Sequence, residues 1–450
     1  MSGLGRSLAL SMGALLLTPV PVPAFADAAC GDAGRVVRYL VVLDRGTSEQ
    51  EAGSQVRAAC GETAIYYPQV SIGVVKSADP RFAANFGPAR VFSAQQLRHT
   101  QRRPELPARR GTPVADRTDQ QWNLTMIDAN GYRGSPDVVV GVLDSGVDAD
   151  HPDLAGAVDR ADSAGCLTGV PDTSPSAWAP TTSAHGTHVA GIIAAADDGK
   201  GITGVAPGVR VASVKVIDDS GYVTPEAAVC GLMWAAARHL PIVNTSFSID
   251  PWNVPCSRRA GYQVVHEAIA RAVEYATAQG TLDIAAATNE AVNLTPSPGA
   301  GAPASSGCEE LPAGLRDPVT VSAVGPDGTK AGYSSYGLGV VDLAAPGGAG
   351  DDCVLSTVPG GYAKMCGTSM AAPHAAGVAA LVASAHPGFT AGQLRNALYQ
   401  GARPMPCPDD YDLTGDGRQD AFCAGYTGYN GFYGRGMVDA ASALSAAAGG

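Results

Sequence analysis

The sequence predicts a doubly wound α/β fold, in which a mostly parallel sheet carries helices on both faces, together with a small α+β unit before it. Five apolar runs lack the polar alternation of half-exposed strands: DVVVGVLD, RVASVKVI, PIVNTSF, TLDIAAAT and PVTVSAVG. Such runs are typical of parallel strands that are covered on both faces. Helical patterns such as TPEAAVCGLMWAAARH lie between them, and this alternation of strands and helices favours a doubly wound sheet.

The first 26 residues have the pattern of an export signal. Arg6 supplies a basic start, Leu8 to Leu17 an apolar core, and Ala24-Phe25-Ala26 a small-x-small cleavage site. The apolar core is shorter than the about 20 residues that span a bilayer, so no membrane anchor is expected. The sequence therefore predicts a secreted, extracellular protein with a bacterial-type export signal.

Residues 27–105 are predicted to form the small α+β unit. RVVRYLVVLD predicts a strand, and Ser48 with Glu51 predicts the capping box of a helix that ends near Gly61. Two short strands, a short helix and ARVFS follow. Residues 106–118 continue a stretch rich in Pro, Arg and Gln, which indicates an exposed linker, and residues 119–450 form the large domain.

Composition and charge exclude two classes of protein. Hydrophobic residues make up 45% of the chain and charged residues 16%, which is not the composition of a disordered protein. The net charge is −12 and the sequence has no long basic run. Because nucleic-acid binding depends on Lys and Arg contacts to phosphates, no nucleic-acid partner is expected.

Ten cysteines in an exported chain favour disulfides over metal thiolates. None of them belongs to a Cys-x-x-Cys pair, which weakens a zinc interpretation further. Cys353 and Cys366 flank a Gly-Gly turn, as a bridge across a hairpin requires. Cys407 and Cys423 bracket a polar loop and are predicted to pair locally.

The first candidate for chemistry is Asp144, which directly follows VVVGVL and precedes the turn SGVD. In a doubly wound sheet the functional crevice lies beyond the carboxyl ends of the strands, and Asp144 is placed there. An Asp that ends a strand is usually a turn former. Asp144 alone therefore carries no functional conclusion.

The second candidate is His185 in AHGTHVAGIIAA, at the predicted start of a helix whose other residues are mostly small and apolar. Gly186 allows another backbone to approach closely. His185 and His188 are three residues apart and could bind a metal, but no carboxylate or third His lies near them in sequence, so zinc is the weaker interpretation. His188 is expected to be a structural, hydrogen-bonded residue.

The third candidate is Ser369 in CGTSMAAPHAAGVAAL, at the predicted start of a helix lined with Ala and Gly. Helix starts offer unpaired N–H groups and a positive dipole end, and both stabilise negative charge. Pro373 is expected in the first turn, where proline is tolerated. Taken alone, Ser369 is better explained as a plain N-cap.

Together the three segments change this interpretation. A serine needs a base to become a nucleophile, and the histidine base needs a carboxylate. The order Asp144, His185, Ser369 is a known chain order of a catalytic triad. On VVGVLDSGVDADHPDL, HGTHVAG and GTSMAAPHAAG the sequence resembles the subtilase family of serine proteases, from about residue 119 to the closing segment GFYGRGMVDAASAL. The resemblance implies that Asp144 orients the His185 imidazole, that His185 acts as base and then acid, and that Ser369 attacks the scissile carbonyl.

The resemblance also implies a role for residues 27–105. Many subtilases carry a small α+β prosegment that acts as folding chaperone and inhibitor and is removed by self-cleavage. The chain's own prosegment would then be its inhibitor. A Cys30–Cys60 pair is implied, because a bridge to the mature domain would keep the prosegment tethered after cleavage. The remaining cysteines are expected to pair as Cys256–Cys308 and, by elimination, Cys166–Cys230.

The resemblance implies no cofactor for the chemistry and a structural Ca²⁺ ion. The loop after the His185 helix, in HGTHVAGIIAAADDGKGITGVAP, has the length of the family's calcium-loop version. Asp153 and Asp198 fall on ligand positions there, and Gln120 or Gln121 could complete the pattern. Carboxylate and carbonyl oxygens suit Ca²⁺. A solvated acidic loop explains the same residues about as well.

A second acidic loop, DLTGDGRQD, spaces Asp412, Asp416 and Asp420 like a short calcium loop. Cys423 stands where an EF-hand has its bidentate Glu. A polar turn clamped by Cys407–Cys423 accounts for this loop almost as well as a metal site does.

Substrate contacts are implied for NTSFS, where Ser246, Phe247 and Ser248 fall on the family's strand that pairs with the substrate backbone and lines the first specificity pocket. The family commonly has Gly where Ser248 stands, which implies a narrower or more polar pocket. Strand addition relies on backbone hydrogen bonds. Broad endopeptidase activity on protein or peptide substrates is therefore expected.

Asn289 lies in IAAATNEAV, where a buried apolar strand gives way to polar residues. An Asn in such a place is most often a turn residue. The resemblance implies instead that its side-chain amide helps to hold the oxyanion, since it follows a strand of the right character between His185 and Ser369. Thr288 stands where the family has Gly, and Glu290 is expected on the solvent side without a role.

The sequence thus predicts a secreted, prosegment-bearing serine endopeptidase that works as a monomer through an acyl-enzyme. A dedicated processing protease with few natural substrates is an alternative of the same class. An exported, inactive subtilase-like binding or scaffold protein is the alternative from another class. The complete triad argues against inactivity, whereas composition does not distinguish the alternatives.

Overall fold

A computed structural model of the chain describes residues 30–31, 34–97, 115–249, 261–295 and 309–449. The predicted export signal at 1–26, most of the predicted linker at 106–118, and the predicted Cys256–Cys308 pair lie outside the described residues. Within the described ranges, none of the helices combines the length and apolarity needed to cross a membrane.

The N-terminal unit is a four-stranded antiparallel sheet in the order β2-β3-β1-β4. One face, with Tyr39, Val41 and Leu43, packs on the first two helices. The Ser48 side chain caps the first helix by accepting a hydrogen bond from the N–H of Glu51, as the sequence predicts. The elements are β1 (Val37–Val42), α1 (Glu49–Ala58), β2 (Glu62–Tyr67), β3 (Ile72–Ser77), α2 (Phe82–Phe86), β4 (Val91–Phe92) and α3 (Ala94–Leu97).

The large domain is built on a seven-stranded sheet in the order β11-β10-β9-β8-β5-β7-β6, and its strand pairs are parallel. The five predicted runs form five of these strands. The two edge strands, β6 and β11, are not among the predicted runs. They are made of Ala-Gly and Leu-Ala-Ala-Pro, and Ala, Gly and Pro are depleted in strands, so these segments give only a weak strand pattern. The strands are β5 (Val139–Asp144), β6 (Ala164–Gly165), β7 (Arg210–Lys215), β8 (Ile242–Thr245), β9 (Leu282–Ala286), β10 (Val319–Val324) and β11 (Leu343–Pro346).

Helices cover both faces of this sheet, which confirms the predicted doubly wound α/β class. Helices α6 and α9 belong to the hydrophobic core on one face, and α7 and α8 to the core on the other. After a short 3-10 helix at Thr118–Gln120, the helices are α4 (Trp122–Met126), α5 (Pro175–Trp178), α6 (His185–Ala194), α7 (Pro225–Ala237), α8 (Tyr262–Ala278), α9 (Thr368–Ala385), α10 (Ala391–Gly401) and α11 (Ala440–Ala448).

Two small hairpins complete the described structure: β12 (Val354–Val358) with β13 (Gly361–Met365), and β14 (Gly425–Tyr426) with β15 (Tyr429–Asn430). The first hairpin leads directly into α9 and packs on α6. It therefore joins the two helices that carry His185 and Ser369.

The order of the strands positions the site. Strand β5 lies inside the sheet and pairs with β7 on one side and β8 on the other. The chain runs from β5 to β6 and β7 on one side and then crosses to β8 on the other, so the strand order reverses at β5. In open α/β sheets the functional crevice forms beyond the strand ends at such a switch point. Asp144 is the last residue of β5 and lies there.

The N-terminal unit packs on α7 and α8 of the large domain. Leu40, Val42 and Ile72 on its second face join the hydrophobic core that contains both helices. The Arg271 guanidinium on α8 donates hydrogen bonds to two backbone carbonyls of the unit, those of Leu43 at 2.9 Å and Val70 at 3.1 Å. The guanidinium also donates to Glu267 Oε1 on the same helix at 2.6 Å. The contact thus combines apolar burial with a buried cation whose donors are paired with carbonyls and a carboxylate.

Four of the five predicted disulfides are present among the described residues, which confirms their pairing. They are Cys30–Cys60, Cys166–Cys230, Cys353–Cys366 and Cys407–Cys423.

Candidate active site

Asp144 and His185 are joined by a close hydrogen bond. His185 Nδ1 lies 2.8 Å from Oδ1 and 2.9 Å from Oδ2 of Asp144. Asp144 is fully buried, and its Oδ1 also accepts the N–H of Ser145 at 2.7 Å. Because a carboxylate only accepts, Nδ1 carries the proton. Nε2 is then the unprotonated ring nitrogen, which is the one that can act as a base.

A glycine makes this approach possible. His185 is the first residue of α6 and Gly186 the second. A Cβ atom at Gly186 would lie 2.5 Å from the carbonyl oxygen of Gly146 and 3.1 Å from Asp144 Oδ1. Only a residue without a side chain fits there, so the predicted close approach of a second backbone at Gly186 is confirmed.

Ser369 is the second residue of α9, as predicted at a helix start. His185 contacts Asp144 at the end of β5, and Ser369 contacts Ser246 just beyond the end of the parallel neighbour β8. The first turns of α6 and α9 therefore lie at the same edge of the sheet. The Ser369 hydroxyl donates to the carbonyl of Ser246 at 3.1 Å. Its own N–H belongs to the first turn, where helical N–H groups have no partner within the helix.

The prediction that Pro373 lies in the first turn of this helix is wrong. Helix α9 begins at Thr368, so Pro373 is its sixth residue and lies inside it. Proline lacks the N–H that would bond the carbonyl four residues earlier, which is that of Ser369. The hydroxyl of Ser246 donates to that carbonyl at 2.9 Å. Ser246 thereby compensates for the proline and ties β8 to the helix start.

Asn289 lies against the start of α9. Its Oδ1 accepts from both the backbone N–H and the hydroxyl of Thr368, each at 2.9 Å. A Cβ atom at Gly367 would lie 3.3 Å from Asn289 Nδ2 and 3.6 Å from the nitrogen of Ser369. Two N–H donors, one from an amide side chain and one from a helix start, therefore flank the same point. Thr368, which orients the amide, is a functional residue that the sequence reasoning missed.

Thr288 has the backbone conformation that explains why the family has Gly at this position. Its φ is +77°, a left-handed conformation that is rare for a β-branched residue. The Thr288 hydroxyl donates to Ser335 Oγ at 2.9 Å, and its carbonyl accepts the Ser335 N–H at 3.0 Å. These two bonds hold the strained residue next to Asn289.

Two further histidines near the site are structural. His188 is buried, and its Nε2 lies 3.2 Å and 3.1 Å from the carbonyls of Val354 and Ala363; burial lowers its pKa to about 3. His374 bridges Asn123 and the Met370 carbonyl, and burial lowers its pKa to about 4. Both rings are neutral at physiological pH, as the structural interpretation of His188 requires.

A comparison with models of protein families gives the family of the chain. The model of the subtilase family (Peptidase_S8) matches residues 135–436, which include Asp144, His185, Asn289 and Ser369. The chain belongs to the subtilase family. Among its relatives, Subtilisin DY of Bacillus licheniformis is 34% identical over 273 residues, which is 60% of this subtilase and 85% of that protein. Subtilisin NAT of Bacillus subtilis subsp. natto is 34% identical over 281 residues, or 62% of this chain and 63% of its own length.

Two solved structures share the fold. The epidermin leader peptide processing serine protease of Staphylococcus aureus has a TM-score of 0.66 at 18% identity and covers 92% of this subtilase and 98% of its own chain. A protease of Pseudoalteromonas arctica has a TM-score of 0.55 at 28% identity. The match covers 75% of this subtilase and 100% of the chain of that protease. The first likeness extends well beyond the segment that the family model matches, and it concerns the fold alone.

The three residues assigned to substrate contact lie just beyond the end of β8, which stops at Thr245. Ser246 is buried between Asn244 Nδ2, which donates to its hydroxyl at 2.8 Å, and the Ser369 carbonyl. Phe247 is half-buried and packs on the core of α7 and α8, and Ser248 is half-buried beside it. These three residues therefore continue the chain beyond β8 from the point where Ser246 contacts Ser369.

The two predicted calcium ligands bond to N–H groups of the same loop. Asp153 is buried, and its two oxygens accept from the Tyr362 hydroxyl at 2.9 Å and the Ile202 N–H at 3.0 Å. Asp198 is exposed and accepts the Lys200 N–H at 3.1 Å. Burial raises the pKa of Tyr362, and both carboxylates raise it further. Among the described residues no group of three or more His, Cys, Asp or Glu could hold a metal, so Ca²⁺ would also need carbonyl oxygens of this loop.

The glutamines near this loop differ in their contacts. The Gln121 side chain is tied to Thr203, with Oε1 accepting its N–H at 2.9 Å and Nε2 donating to its carbonyl at 2.7 Å, whereas Gln120 is exposed. In the other acidic loop, Asp412 accepts the N–H groups of Gly415, Asp416 and Gly417. That loop has the geometry of a polar turn.

A buried carboxyl group lies next to the end of β8. Asp283 on β9 accepts from the hydroxyl of Thr245, the last residue of β8, at 2.7 Å. Its Oδ2 has no hydrogen-bond partner in the described part of the chain. Burial raises its pKa from 3.8 to about 7, and the Thr245 bond opposes the shift. Asp283 is therefore protonated in weakly acidic solution.

We expect Asp283→Asn to remove a pH dependence of stability. The folded state keeps a proton that the unfolded chain releases between pH 3.8 and about 7, so the wild type loses stability as pH rises through that window, by on the order of 4 kcal/mol. The amide cannot titrate. The free energy of unfolding of the variant, minus that of its parent, should be larger at pH 8 than at pH 4. Both chains should carry Ser369→Ala, which prevents self-digestion. A difference between variant and parent that is the same at both pH values would contradict the assignment.

Proposed function

We propose that this subtilase is a secreted serine endopeptidase that hydrolyses peptide bonds through an acyl-enzyme and is made as a self-processed zymogen. The observation that carries the proposal is the His185–Asp144 pair, with the imidazole Nδ1 within 2.9 Å of both carboxylate oxygens. A buried carboxylate that fixes one imidazole tautomer leaves the other nitrogen to take a proton from a serine. We assign Ser369, at the start of α9, as that serine.

The proposed first step is attack by Ser369 Oγ on the scissile carbonyl. His185 Nε2 takes the hydroxyl proton, and Asp144 stabilises the imidazolium that forms. The tetrahedral oxyanion is held by the Asn289 amide and the Ser369 N–H, the two donors that flank one point beside Gly367. His185 then gives its proton to the leaving amine, and water reverses the sequence on the acyl-enzyme.

For substrate selection we propose backbone pairing along Ser246–Ser248, which start at the nucleophile. Pairing through backbone groups tolerates many side chains, so the expected specificity is broad and the substrates are proteins or peptides. Ser248, where the family commonly has Gly, narrows the first pocket.

For the zymogen we propose that residues 27–105 are the inhibitor-type prosegment. The apolar second face of this unit and the Arg271 hydrogen bonds hold it on α7 and α8. Its one disulfide among the described residues, Cys30–Cys60, lies within the unit. Cleavage of the linker would therefore leave no covalent tether through this pair.

The proposal is tested by labelling with a serine-reactive phosphonate. The wild-type chain should lose its prosegment and take one label, which peptide mass spectrometry should locate at Ser369. The Ser369→Ala chain should stay full length and unlabelled. If the folded wild type neither processes itself nor takes the label, the inactive binding-protein alternative replaces this proposal.

We also propose a structural Ca²⁺ site in the loop that Asp153 and Asp198 flank. The donor types fit, since both residues present carboxylate oxygens to one loop that also offers carbonyls. A chelator should lower the melting temperature of the Ser369→Ala chain by several degrees, because a ligand bound only to the folded state stabilises it. Asp153→Ala should abolish this difference, whereas Asp412→Ala should leave it unchanged. Equal melting temperatures with Ca²⁺ and with chelator in the parent chain would refute the site.

A further inference from the structure

The Cys353–Cys366 disulfide closes the open end of the β12–β13 hairpin. The ladder of this hairpin begins at the Val354–Met365 pair, and the two cysteines are the next residues outward on each strand. Their Cα atoms are 4.7 Å apart. The bridge therefore fixes the spacing of the two chain segments where they leave the hairpin.

One of these segments is the start of the catalytic helix. Cys366 is followed directly by Gly367, Thr368 and Ser369, so only two residues separate the bridge from the nucleophile. The other segment runs beneath it: the Gly367 N–H donates to the carbonyl of Gly347 at 3.0 Å. A Cβ atom at Gly348 would lie 2.7 Å from Cys366 Sγ, which shows how closely the bridge packs on this segment.

The residues after the bridge hold the oxyanion donors. Thr368 orients the Asn289 amide through two hydrogen bonds, and Gly367 lies beside both Asn289 Nδ2 and the Ser369 nitrogen. A shift of the backbone at Cys366 would pass directly to both donors. Misplacement of reacting groups by about 1 Å can cost about 100-fold in rate.

The rest of the hairpin is anchored without the disulfide. Ser356 and Thr357 in β12 donate their hydroxyls to the carbonyls of His188 and Thr187 in α6, each at 2.7 Å. Val354 and Leu355 are buried in the hydrophobic interior. The hairpin should therefore stay folded and docked on α6 when the bridge is absent.

We propose that Cys353 and Cys366 are positioning residues for catalysis. Their disulfide holds the Gly367–Ser369 segment in the position in which the two oxyanion donors and the Ser369 hydroxyl can reach the reacting carbonyl in the transition state. The inference rests on the proposed protease function. According to this inference the disulfide increases the rate of the chemical step, in addition to the stability that any disulfide gives to a fold.

The structure offers a matched control for the test. The Cys407–Cys423 bridge closes a loop of similar length, with a sequence separation of 16 against 13, so both bridges restrict the unfolded chain to nearly the same extent. It clamps an exposed polar loop away from the nucleophile. We expect Cys353→Ser/Cys366→Ser to lower kcat by about 10- to 100-fold with KM changed less than about threefold, and Cys407→Ser/Cys423→Ser to leave both near wild type.

A peptide boronate, which forms a tetrahedral adduct with the serine, separates positioning from folding. Its affinity should fall in parallel with kcat in the Cys353→Ser/Cys366→Ser variant, while the melting temperatures of the two double variants stay similar. Unchanged kcat in that variant overturns the inference. So does a loss of kcat that only matches a smaller folded fraction, or an equal loss in the control. A wild type without activity would instead refute the protease proposal itself.

If the double variant does not mature, the wild type gives the same answer. Cys353 and Cys366 are half-buried, whereas Cys166 and Cys230 are fully buried, so mild reduction can reach the first bridge before the second. Alkylation and mass spectrometry would identify the bridges opened at each dose of reductant. Activity should fall with opening of Cys353–Cys366 and return on reoxidation; retention of activity after that bridge has opened overturns the inference.

Discussion

We expect His185→Ala to lower kcat by about 10⁶-fold, the magnitude known for the corresponding loss in subtilisin, a relative of this chain. Without the imidazole no group takes the Ser369 proton, and the Asp144 carboxylate at 2.8 Å loses its partner. The variant chain should also fail to remove its prosegment. Turnover can be measured after maturation in trans by a tagged wild-type enzyme that is then removed.

Two comparison variants make this result specific. His386→Ala changes a half-buried histidine at the end of α9 that stacks on Phe389, outside the site, and should leave kcat unchanged. Asp144→Asn keeps the imidazole but removes the acceptor that fixes its tautomer, and should cost about 10⁴-fold. If His185→Ala retained more activity than Asp144→Asn, the assignment of His185 as the base would be wrong.

The second large effect is expected for Asn289→Ala, which should lower kcat by about 10²- to 10³-fold with little change in KM; this magnitude comes from the equivalent donor in subtilisin. The amide is aimed at charge that develops only in the transition state, so substrate binding does not depend on it. Steady-state kinetics on a peptide amide separates the two parameters. Equal losses in kcat and in substrate affinity would contradict the oxyanion role.

Asn289→Ala also removes the acceptor for Thr368, so a second variant is needed. Asn289→Asp keeps an oxygen for the Thr368 N–H and hydroxyl, each now 2.9 Å from Oδ1, but replaces the donor with a negative charge. It should fold as the wild type does and be at least as impaired as Asn289→Ala. Glu290→Ala changes the exposed neighbour and should have no effect.

Much of the fold could be predicted because its strands are buried on both faces. The runs around Val140, Val214 and Ile284 are apolar without alternation, and burial of parallel strands produces that pattern directly. The edge strands β6 and β11 were missed because they consist of Ala-Gly and Leu-Ala-Ala-Pro, and Ala, Gly and Pro are depleted in strands. The prediction that Pro373 lies in the first turn of α9 was wrong because a sequence pattern gives a helix start only approximately. The sequence indicated a start near Ser369, whereas the helix begins at Thr368.

The sequence by itself determined which residue types stand in which local settings: Asp144 after a strand, His185 and Ser369 at helix starts, Asn289 after a buried strand, and cysteines around turns. Each of these settings depends only on a few residues that are adjacent in the chain, so the sequence alone is enough to predict them. Tertiary structure alone decided the rest: that Nδ1 of His185 meets both oxygens of Asp144, that Ser246 satisfies the carbonyl freed by Pro373, that Thr288 is left-handed, and that Asp283 is buried. Each depends on atoms from distant segments at distances of about 3 Å, and only the packing of the whole sheet fixes those distances.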